Sequence, residues 1–316
     1  MPFAGIHLWA PCFNLGVHNG INKGSTPLGK RRDMMKIKDR TITLHNGMQM
    51  PLIGFGTVGI HNNVASVIAS AITAGYRHIE TAPIYKNEAE IALGIEQSGI
   101  DRDALFITSK VPPHVKTYEG TLRMARRSMK KLGTDYLDAL LINNPVPWGK
   151  EGTDYSKENF EVWRALQTLY DEEVVGAIGV SNFTEDDLAP IIEQGTVKPH
   201  INQLGVFIGH TLDSTRLYCK DEGIVIQGHS PLARGRLLKE PWLQNTASSF
   251  GVSAAQLALR FVVDLGVAPI VKSENPTRMD ENLALDFTID QGTVSVLKQT
   301  TKDVRDYLPP GATRQL

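Results

Sequence analysis

The sequence is poor in cysteine, in long apolar runs and in net charge, and each shortage excludes a class of protein. Its 316 residues include two cysteines, Cys12 and Cys219, which is too few for a disulfide framework and typical of a reducing compartment. No segment reaches the roughly 20 apolar residues that a membrane-spanning helix needs. The net charge of −1 gives no long-range attraction to nucleic acid or to an anionic membrane. We therefore expect a cytoplasmic protein with no nucleic-acid or membrane partner.

The first 35 residues differ in composition from the rest of the chain. They are rich in Gly, Asn and Pro, and Pro11 and Gly16 interrupt their apolar run, which does not fit a secretory signal. We predict that residues 1–35 are a disordered extension, or an upstream start before a true Met34 or Met35. A transit peptide stays open because the segment is poor in acidic residues. Residues 36–316 contain no clear linker and are expected to form a single domain.

A short hairpin is predicted immediately after this extension. The segment from Thr41 to Met50 alternates in polarity and has Asn46-Gly47 at its centre, which is a strong signal for a tight β-turn. From Leu52 onward, short apolar runs alternate with segments of helical period, as in residues 64–72 and 257–265. The strands are predicted at 52–56, 76–80, 104–109, 137–142, 174–180, 200–204, 224–228 and 268–271.

This alternation predicts a parallel (β/α)8 TIM barrel, with the N-terminal β-hairpin closing its bottom. No Gly-x-Gly-x-x-Gly turn follows the first barrel strand, so a Rossmann fold has no support. The longest interruption, residues 229–252, is expected to be a long loop, and a helix is predicted at 294–304.

Three of the predicted strands end in a polar residue suited to proton or charge chemistry. Glu80 ends the second barrel strand, Lys110 the third and Asn143 the fourth, while Tyr85 lies in the loop after the second. Active sites of such barrels lie at the carboxyl ends of the strands. Over about residues 40–290 the chain resembles the aldo-keto reductase family, whose catalytic tetrad is Asp, Tyr, Lys and His. Here Glu80 stands for the Asp and Asn143 for the His.

The resemblance implies reduction of an aldehyde or ketone by NADPH. Tyr85 would be the general acid, Glu80 would orient Lys110, and Asn143 would donate a hydrogen bond to the substrate oxygen. We expect the Lys110 ammonium to lower the phenol pKa, by up to about 3 units if it lies roughly 4 Å away. Two simpler interpretations stay open: an ion pair between Glu80 and Arg77, and a plain turn at Asn143.

The resemblance also implies a cofactor site, and no metal ion. Gly56 and Thr57 would form its floor, and the charged segment after the last strand favours NADPH over NADH because it matches the part of the family that binds the adenosine 2′-phosphate. His229 takes the place of an aromatic residue that stacks on the nicotinamide, so stacking is expected to be weaker or pH-dependent. The remaining residues implied are Ser181, Asn182 and Gln203 at the carboxamide, Ser230 and Leu232 beside His229, Lys272, Ser273 and Arg278 at the 2′-phosphate, and Glu281 and Asn282 at the adenine.

The substrate pocket departs from the family pattern. Val58 and Pro112 stand where the family often has aromatic residues, and Trp148 and His114 are the candidates for replacement walls. Asn144 is also expected to line the pocket, with a short tail at 308–311 at its border. Two other functions stay open beside carbonyl reduction. One is an NADPH-binding regulatory subunit with little turnover, and the other is a specialised C=C or C=N reductase of a biosynthetic pathway. The sequence favours a monomer without deciding the oligomeric state.

Overall fold

A computed structural model describes residues 35–300, which belong to one compact unit that begins at Met35. The predicted N-terminal extension, except for Met35, and the predicted C-terminal tail therefore lie outside the described residues. Within residues 35–300, no helix is both long enough and apolar enough to cross a bilayer.

Eight parallel strands close into a barrel in which each strand pairs with the next along the chain and the last pairs with the first. The strands are β3 (Gly54–Gly56), β4 (His78–Glu80), β5 (Phe106–Val111), β6 (Leu137–Ile142), β7 (Val175–Ser181), β8 (Ile201–Gly205), β9 (Val225–His229) and β10 (Ala268–Val271). Almost every strand residue is buried, which is why these segments read as continuous apolar runs rather than as alternating ones. The predicted (β/α)8 barrel is confirmed.

The predicted hairpin is formed by β1 (Thr41–Thr43) and β2 (Gln49–Pro51), which pair antiparallel. Gly47 turns the chain with a φ of +91°, a conformation that favours glycine. The hairpin contacts the amino ends of the strands: Asn46 donates to the carbonyl of Gly176 at 3.0 Å, and Gln227 donates to the Met50 sulfur at 3.0 Å. It therefore closes the bottom of the barrel, at the end opposite the carboxyl ends of the strands.

Helices surround the barrel, and their apolar faces explain the helical periods in the sequence. On the first helix, all five residues of the predicted face (Val64, Val67, Ile68, Ala71 and Ile72) are buried. Each fully buried valine or isoleucine contributes about 1.5–3 kcal/mol to stability. The helices within residues 35–300 are α1 (Val64–Ala74), α2 (Glu88–Ser98), α3 (Tyr118–Leu132), α4 (Ser156–Asp171), α5 (Glu185–Gln194), α6 (Asp213–Asp221), α7 (Pro241–Ser249), α8 (Ala254–Asp264), α9 (Pro276–Leu283) and α10 (Gln291–Lys298).

Two local predictions were wrong. The interval 229–252 is not a plain loop, because it contains two short 3-10 turns, Ala233–Gly235 and Leu237–Lys239, and the helix α7. Pro241 starts α7 at a position where its missing N–H is not needed, and only Leu243 and Ala247 are buried, which is too weak a pattern to recognise as a helix. The predicted helix at 294–304 is α10, which begins three residues earlier, at Gln291, and ends at Lys298.

Candidate active site

Three predicted catalytic residues meet at the carboxyl ends of β4 and β5. Lys110 forms a buried ion pair with Glu80, and its ammonium donates to the Tyr85 hydroxyl at 3.0 Å. The Tyr85 hydroxyl also lies 3.3 Å from Glu80 Oε1. Glu80 and Lys110 are only 2% and 3% exposed, so their charges face each other with little water between them. This arrangement excludes the simpler pairing with Arg77, whose guanidinium donates to the carbonyls of Ile72 and Tyr76.

Strand register brings these groups together. Glu80 pairs with Gly56 on one side and with Thr108 on the other, so the carboxylate lies between the first and third barrel strands. A Cβ at Gly56 would lie 3.5 Å from Glu80 Oε2, which shows how closely the first strand approaches the carboxylate. The 3-10 turn Pro83–Tyr85 then brings the phenol back over the strand end.

The pKa values of the trio differ in one respect from expectation. Although part of its side chain stays exposed, burial raises the pKa of the Tyr85 phenol above its usual value. The prediction that Lys110 lowers this pKa was therefore wrong, because desolvation of the phenolate outweighs the attraction of the ammonium. Burial lowers the pKa of Lys110 below its usual value, while the ion pair with Glu80 acts in the opposite direction and favours the charged ammonium. A phenol that keeps its proton at neutral pH is suited to donate it.

Asn143 ends β6 beside this trio and is 8% exposed. Its main-chain N–H donates to the carbonyl of Val111 at 3.1 Å, and its carbonyl accepts from Asn182 at 3.1 Å. These bonds fix its backbone directly after β6, and the interpretation of Asn143 as a plain turn residue stays open beside the catalytic one. Its side-chain amide makes no hydrogen bond to another residue within 35–300 and remains available to a ligand.

The floor of the predicted cofactor site contains a buried hydroxyl without a partner. Thr57 is fully buried, and its Oγ1 makes no hydrogen bond within the described part of the chain. Leaving such a group unpaired costs about 1–3 kcal/mol, which a bound ligand can recover. Asn182 and Ser230, two further predicted cofactor residues, have φ values of 64° and 54° that non-glycine residues rarely adopt. An unpaired hydroxyl and strained backbone at predicted contact positions fit a bound dinucleotide.

The residues implied for the nicotinamide carboxamide form one hydrogen-bonded chain across β7 and β8. Ser181 donates to the carbonyl of Gln203 at 2.9 Å, and Asn182 Nδ2 lies 3.2 Å from the Ser181 hydroxyl. The side chain of Gln203 donates to Gln227 at 2.9 Å, inside the barrel. These three residues lie together, and their side-chain donors are engaged with other groups of the protein.

His229 contacts the same chain through both ring nitrogens. Its Nε2 donates to Asn182 Oδ1 at 2.9 Å, and its Nδ1 accepts from the Ser230 hydroxyl at 3.2 Å. This is the pattern of a neutral imidazole with its proton on Nε2. Burial, reinforced by the Lys110 charge, lowers the pKa of His229 to about 3. The imidazole is therefore neutral at neutral pH, and the expectation of weaker or pH-dependent stacking stays a prediction.

The residues predicted for the 2′-phosphate lie at the start of α9. Lys272 and Arg278 are exposed and Ser273 is buried. Lys272 forms a 2.5 Å ion pair with Glu274, and the Asn275 side chain caps the helix by accepting from the Arg278 N–H. Of the two residues predicted at the adenine, Glu281 is exposed and Asn282 is buried, and Leu232 is half-buried in the loop after β9.

The predicted pocket walls are distributed unevenly. Val58 and Trp148 are 54% and 56% exposed, whereas Pro112 and Asn144 are buried. The Asn144 amide donates to the carbonyl of Val146 at 2.6 Å, so it holds its own loop together.

Sequence reasoning missed two side chains that hold the loops of the site. Asn87 is buried and donates to the carbonyls of Thr57 and Ile60, which ties the cofactor floor to the turn that carries Tyr85. Lys116 donates to the carbonyl of Asn144 at 3.0 Å and to Asn159 Oδ1 at 2.5 Å. The sequence offers no signal for Lys116, whereas Asn87 lies within the Tyr85 motif. The described residues contain no cluster of three or more His, Cys, Asp or Glu side chains that could hold a metal.

Comparison with known proteins agrees with this geometry. The model of the Aldo/keto reductase family matches residues 52–301. Glyoxal reductase from Bacillus subtilis is 39% identical over 272 residues, which cover 85% of this chain and 95% of that protein. The 9,11-endoperoxide prostaglandin H2 reductase of Trypanosoma cruzi is 35% identical over 270 residues, covering 84% and 92% of the two chains.

Solved structures extend the likeness to three dimensions. An aldo/keto reductase from Brucella melitensis superposes with a TM-score of 0.76 at 37% identity, covering 82% of this chain and 98% of that one. The Bombyx mori aldo-keto reductase in complex with NADP has a TM-score of 0.75 at 29% identity, with coverage of 82% and 92%. These matches confirm the predicted resemblance, the barrel fold and the class of enzyme, an NADP-dependent oxidoreductase acting on carbonyl groups. The chain belongs to the aldo/keto reductase family.

Proposed function

We propose that this protein reduces an aldehyde or ketone with NADPH, using Tyr85 as the general acid. The observation that carries this proposal is the buried Glu80–Lys110 pair with the Tyr85 hydroxyl 3.0 Å from the ammonium, at the carboxyl end of the barrel. When bound, the nicotinamide ring supplies a hydride to the carbonyl carbon. The protein must then supply a proton and stabilise the negative charge that develops on the oxygen.

Tyr85 supplies the proton. Because burial raises its pKa, the phenol is fully protonated at neutral pH and can give its proton to an alkoxide, which is far more basic. Lys110 then lies against the phenolate and stabilises it, and Glu80 holds Lys110 in place. Positioned general acids of this kind typically contribute about 10²–10⁴-fold to the rate.

Asn143 binds the substrate oxygen through its side-chain amide. An amide donor cannot exchange a proton with the substrate, but one well-placed donor to a developing oxyanion is worth about 2.7–4 kcal/mol. Its free side chain and its held backbone support this role. Thr57, Ser181, Asn182, Gln203, His229 and Ser230 would hold the nicotinamide half of the cofactor. Lys272, Ser273 and Arg278 would hold the adenosine half.

For the substrate we propose a small carbonyl compound, with glyoxal as the first candidate. The support is the 39% identity to a protein named glyoxal reductase. Val58 and Trp148 are exposed, so the mouth of the site has few enclosing walls. The site therefore offers no surface that would select a particular bulky substrate.

The test is NADPH consumption by the purified protein against glyoxal and a panel of aldehydes, quinones, enones and imines, beside an Asn143→His variant. Turnover of an aldehyde by the native protein, with no gain in the variant, supports the proposal. NADPH binding without consumption, with reduction restored in Asn143→His, contradicts it and favours a regulatory subunit. Reduction of only the enones or imines would make it a specialised C=C or C=N reductase.

We also propose that residues 36–316 act as one catalytic domain, as a monomer in the cytoplasm. The support is that Glu80, Tyr85, Lys110 and Asn143 come from one chain and one barrel. Cys219 is free and buried, which suits a reducing compartment. Light scattering after size-exclusion chromatography and cell fractionation test the oligomeric state and the compartment.

A further inference from the structure

A cavity of about 670 Å3 lies beside the Tyr85 turn; the catalytic trio does not line it, whereas Pro112, predicted as a substrate-pocket wall, does. Ile84 and Lys86, the two neighbours of Tyr85, line this cavity, whereas the Tyr85 hydroxyl is bonded to Lys110. The opposite wall is one face of α3. The volume of the cavity lies within the range of about 300–1,000 Å3 that small-molecule sites occupy. The cavity, hereafter the α3 groove, is thus separate from the catalytic trio.

Positive charge dominates the α3 groove. Three of its cations lie on the face of α3 at helical spacing, and Lys86 contributes a fourth from the Tyr85 turn; the α3 cations are Arg123, Arg127 and Lys131. Lys131 lies 3.8 Å from the Glu88 carboxylate. Lys86, Arg123 and Arg127 make no ion pair within 4 Å and no side-chain hydrogen bond to another residue within 35–300. Three cations thus converge on one cavity with their hydrogen-bonding capacity unused.

Lys86 is held there by an unusual backbone. Its φ of 59° lies in the left-handed region, where a lysine is uncommon and costs about 1–3 kcal/mol. Asn or Gly would occupy such a position without strain. Lys86 therefore carries its positive charge at the rim of the α3 groove in a backbone conformation that a glycine would adopt more easily.

The one acidic lining residue, Glu88, interacts with Lys131 and Arg127 and offsets part of their charge. Glu88 is buried, accepts from the Ser128 hydroxyl, and has an Oε2 that makes no hydrogen bond within the described residues. Burial raises the pKa of this carboxyl, while Lys131 and Arg127 act in the opposite direction. With four cations and one carboxyl in its lining, the α3 groove remains positive overall.

The remaining wall is mostly apolar. It lies between the Tyr85 turn and the segment after β5, and its apolar members are Pro83, Ile84, Pro112, Val115 and Met124, beside His114, Gly120 and Ser128. An inorganic anion would use the cations and leave this wall uncovered. A ligand that has both an apolar body and an anionic group would cover both.

We propose that the α3 groove is a second small-molecule site that binds an organic phosphate. The apolar body of this ligand would lie on the apolar wall that contains Pro112, and its phosphate would lie between Arg123 and Arg127. Arginines four residues apart on a helix lie about 5–6 Å from each other, which lets both reach one phosphate group. This proposal does not depend on the identity of the carbonyl substrate.

The test is calorimetric titration of the NADPH-saturated protein with 1-naphthyl phosphate, a probe that has no carbonyl group. Saturating NADPH keeps the probe from the cofactor's own phosphate positions. The groove variant is Arg123→Gln/Arg127→Gln. The matched control is Arg126→Gln/Lys130→Gln, which removes the same charge from the same helix outside the groove; Arg126 faces Glu172 at 3.6 Å.

We expect one equivalent of probe to bind, and binding to weaken about tenfold or more in the groove variant, because charge-assisted bonds to phosphate are lost. The control variant should bind the probe with an affinity within about twofold of the wild type, since exposed charges outside the site are screened. 1-Naphthol and inorganic phosphate should each bind at least tenfold more weakly than the probe. No binding, equal losses in both variants, or inorganic phosphate binding as tightly as the probe would each overturn the proposal. Circular dichroism and carbonyl reduction by both variants confirm that they are folded.

Discussion

Replacing Glu80 with glutamine should destabilise the protein by several kcal/mol at neutral pH. The carboxylate is the counterion of Lys110, and both side chains are at least 96% buried. Removing one partner of a buried ion pair typically costs about 3–5 kcal/mol, because the other charge is left without compensation. Lys110 can reduce this cost only by losing its proton, and a lysine neutralised at pH 7 has given up about 4.6 kcal/mol relative to an unfolded pKa near 10.4. The variant therefore loses a similar amount of stability whether Lys110 stays charged without a partner or becomes neutral.

The sign of the pH dependence follows from the same lysine. In Glu80→Gln the folded state holds Lys110 neutral while the unfolded state keeps it protonated, so the unfolded state binds more protons between neutral pH and about pH 10. The free energy of unfolding of the variant should therefore rise by about 1.4 kcal/mol for each pH unit above neutral pH. The rise should end near the unfolded pKa of lysine.

Urea unfolding at pH 7 and at pH 9.5, followed by circular dichroism, measures both effects. Glu161→Gln is the control, because it removes a carboxylate from the exposed pair with Arg164 and should change stability by at most about 1 kcal/mol. The double variant Glu80→Gln/Lys110→Met should be more stable than Glu80→Gln alone, since no buried charge remains. A deficit below about 1 kcal/mol at pH 7, or a free energy of unfolding of Glu80→Gln that is the same at pH 7 and at pH 9.5, would refute the account of this ion pair.

Three further predictions concern groups that hold the site or the barrel. Lys116→Met should cost about 1–3 kcal/mol by leaving buried acceptors such as the Asn144 carbonyl unpaired, and hydrogen exchange should speed up in the following loop; unchanged exchange would show that Lys116 does not hold it. Asn87→Ala should weaken NADPH binding and lower kcat, because the carbonyl of Thr57 loses the hydrogen bond that holds the strand end. Unchanged cofactor affinity in a fluorescence titration would argue against this role of Asn87. His78 is fully buried with its pKa lowered to about 3, so acid destabilises the protein as the unfolded state takes up its proton below about pH 6.5. His78→Gln should remove about 2 kcal/mol of the loss in stability between pH 7 and 5, and equal losses in both proteins would contradict this.

The sequence predicted the barrel well because its strands are buried on both faces. β6 and β10 match the predicted ranges 137–142 and 268–271, and the other barrel strands end within two residues of the predicted positions. Apolar runs of this kind are visible without knowledge of tertiary contacts. The helix α7 was missed because its apolar pattern amounts to two buried residues, and its polar surface reads as a loop.

The candidate site was predictable where strand ends set the geometry. Glu80 and Lys110 end neighbouring strands, so barrel closure alone brings them together. The pKa of Tyr85 was predicted in the wrong direction because a sequence shows the neighbouring cation but not the loss of water around the phenol. The charge state of His229 depends in the same way on burial and on its bond to Asn182.

The central claim is that Tyr85 donates the proton during NADPH-dependent carbonyl reduction. The most direct test is single-turnover oxidation of NADPH with glyoxal by the wild type, by Tyr85→Phe and by a matched control, Tyr118→Phe. Tyr118 loses the same hydroxyl, which lies 3.0 Å from Thr168 on the outer helices. We predict that Tyr85→Phe reduces the rate by about 10²–10⁴-fold with NADPH affinity unchanged, and that Tyr118→Phe matches the wild type. A Tyr85→Phe enzyme that retains more than about a tenth of the wild-type rate would contradict the claim, because a missing general acid costs far more than that.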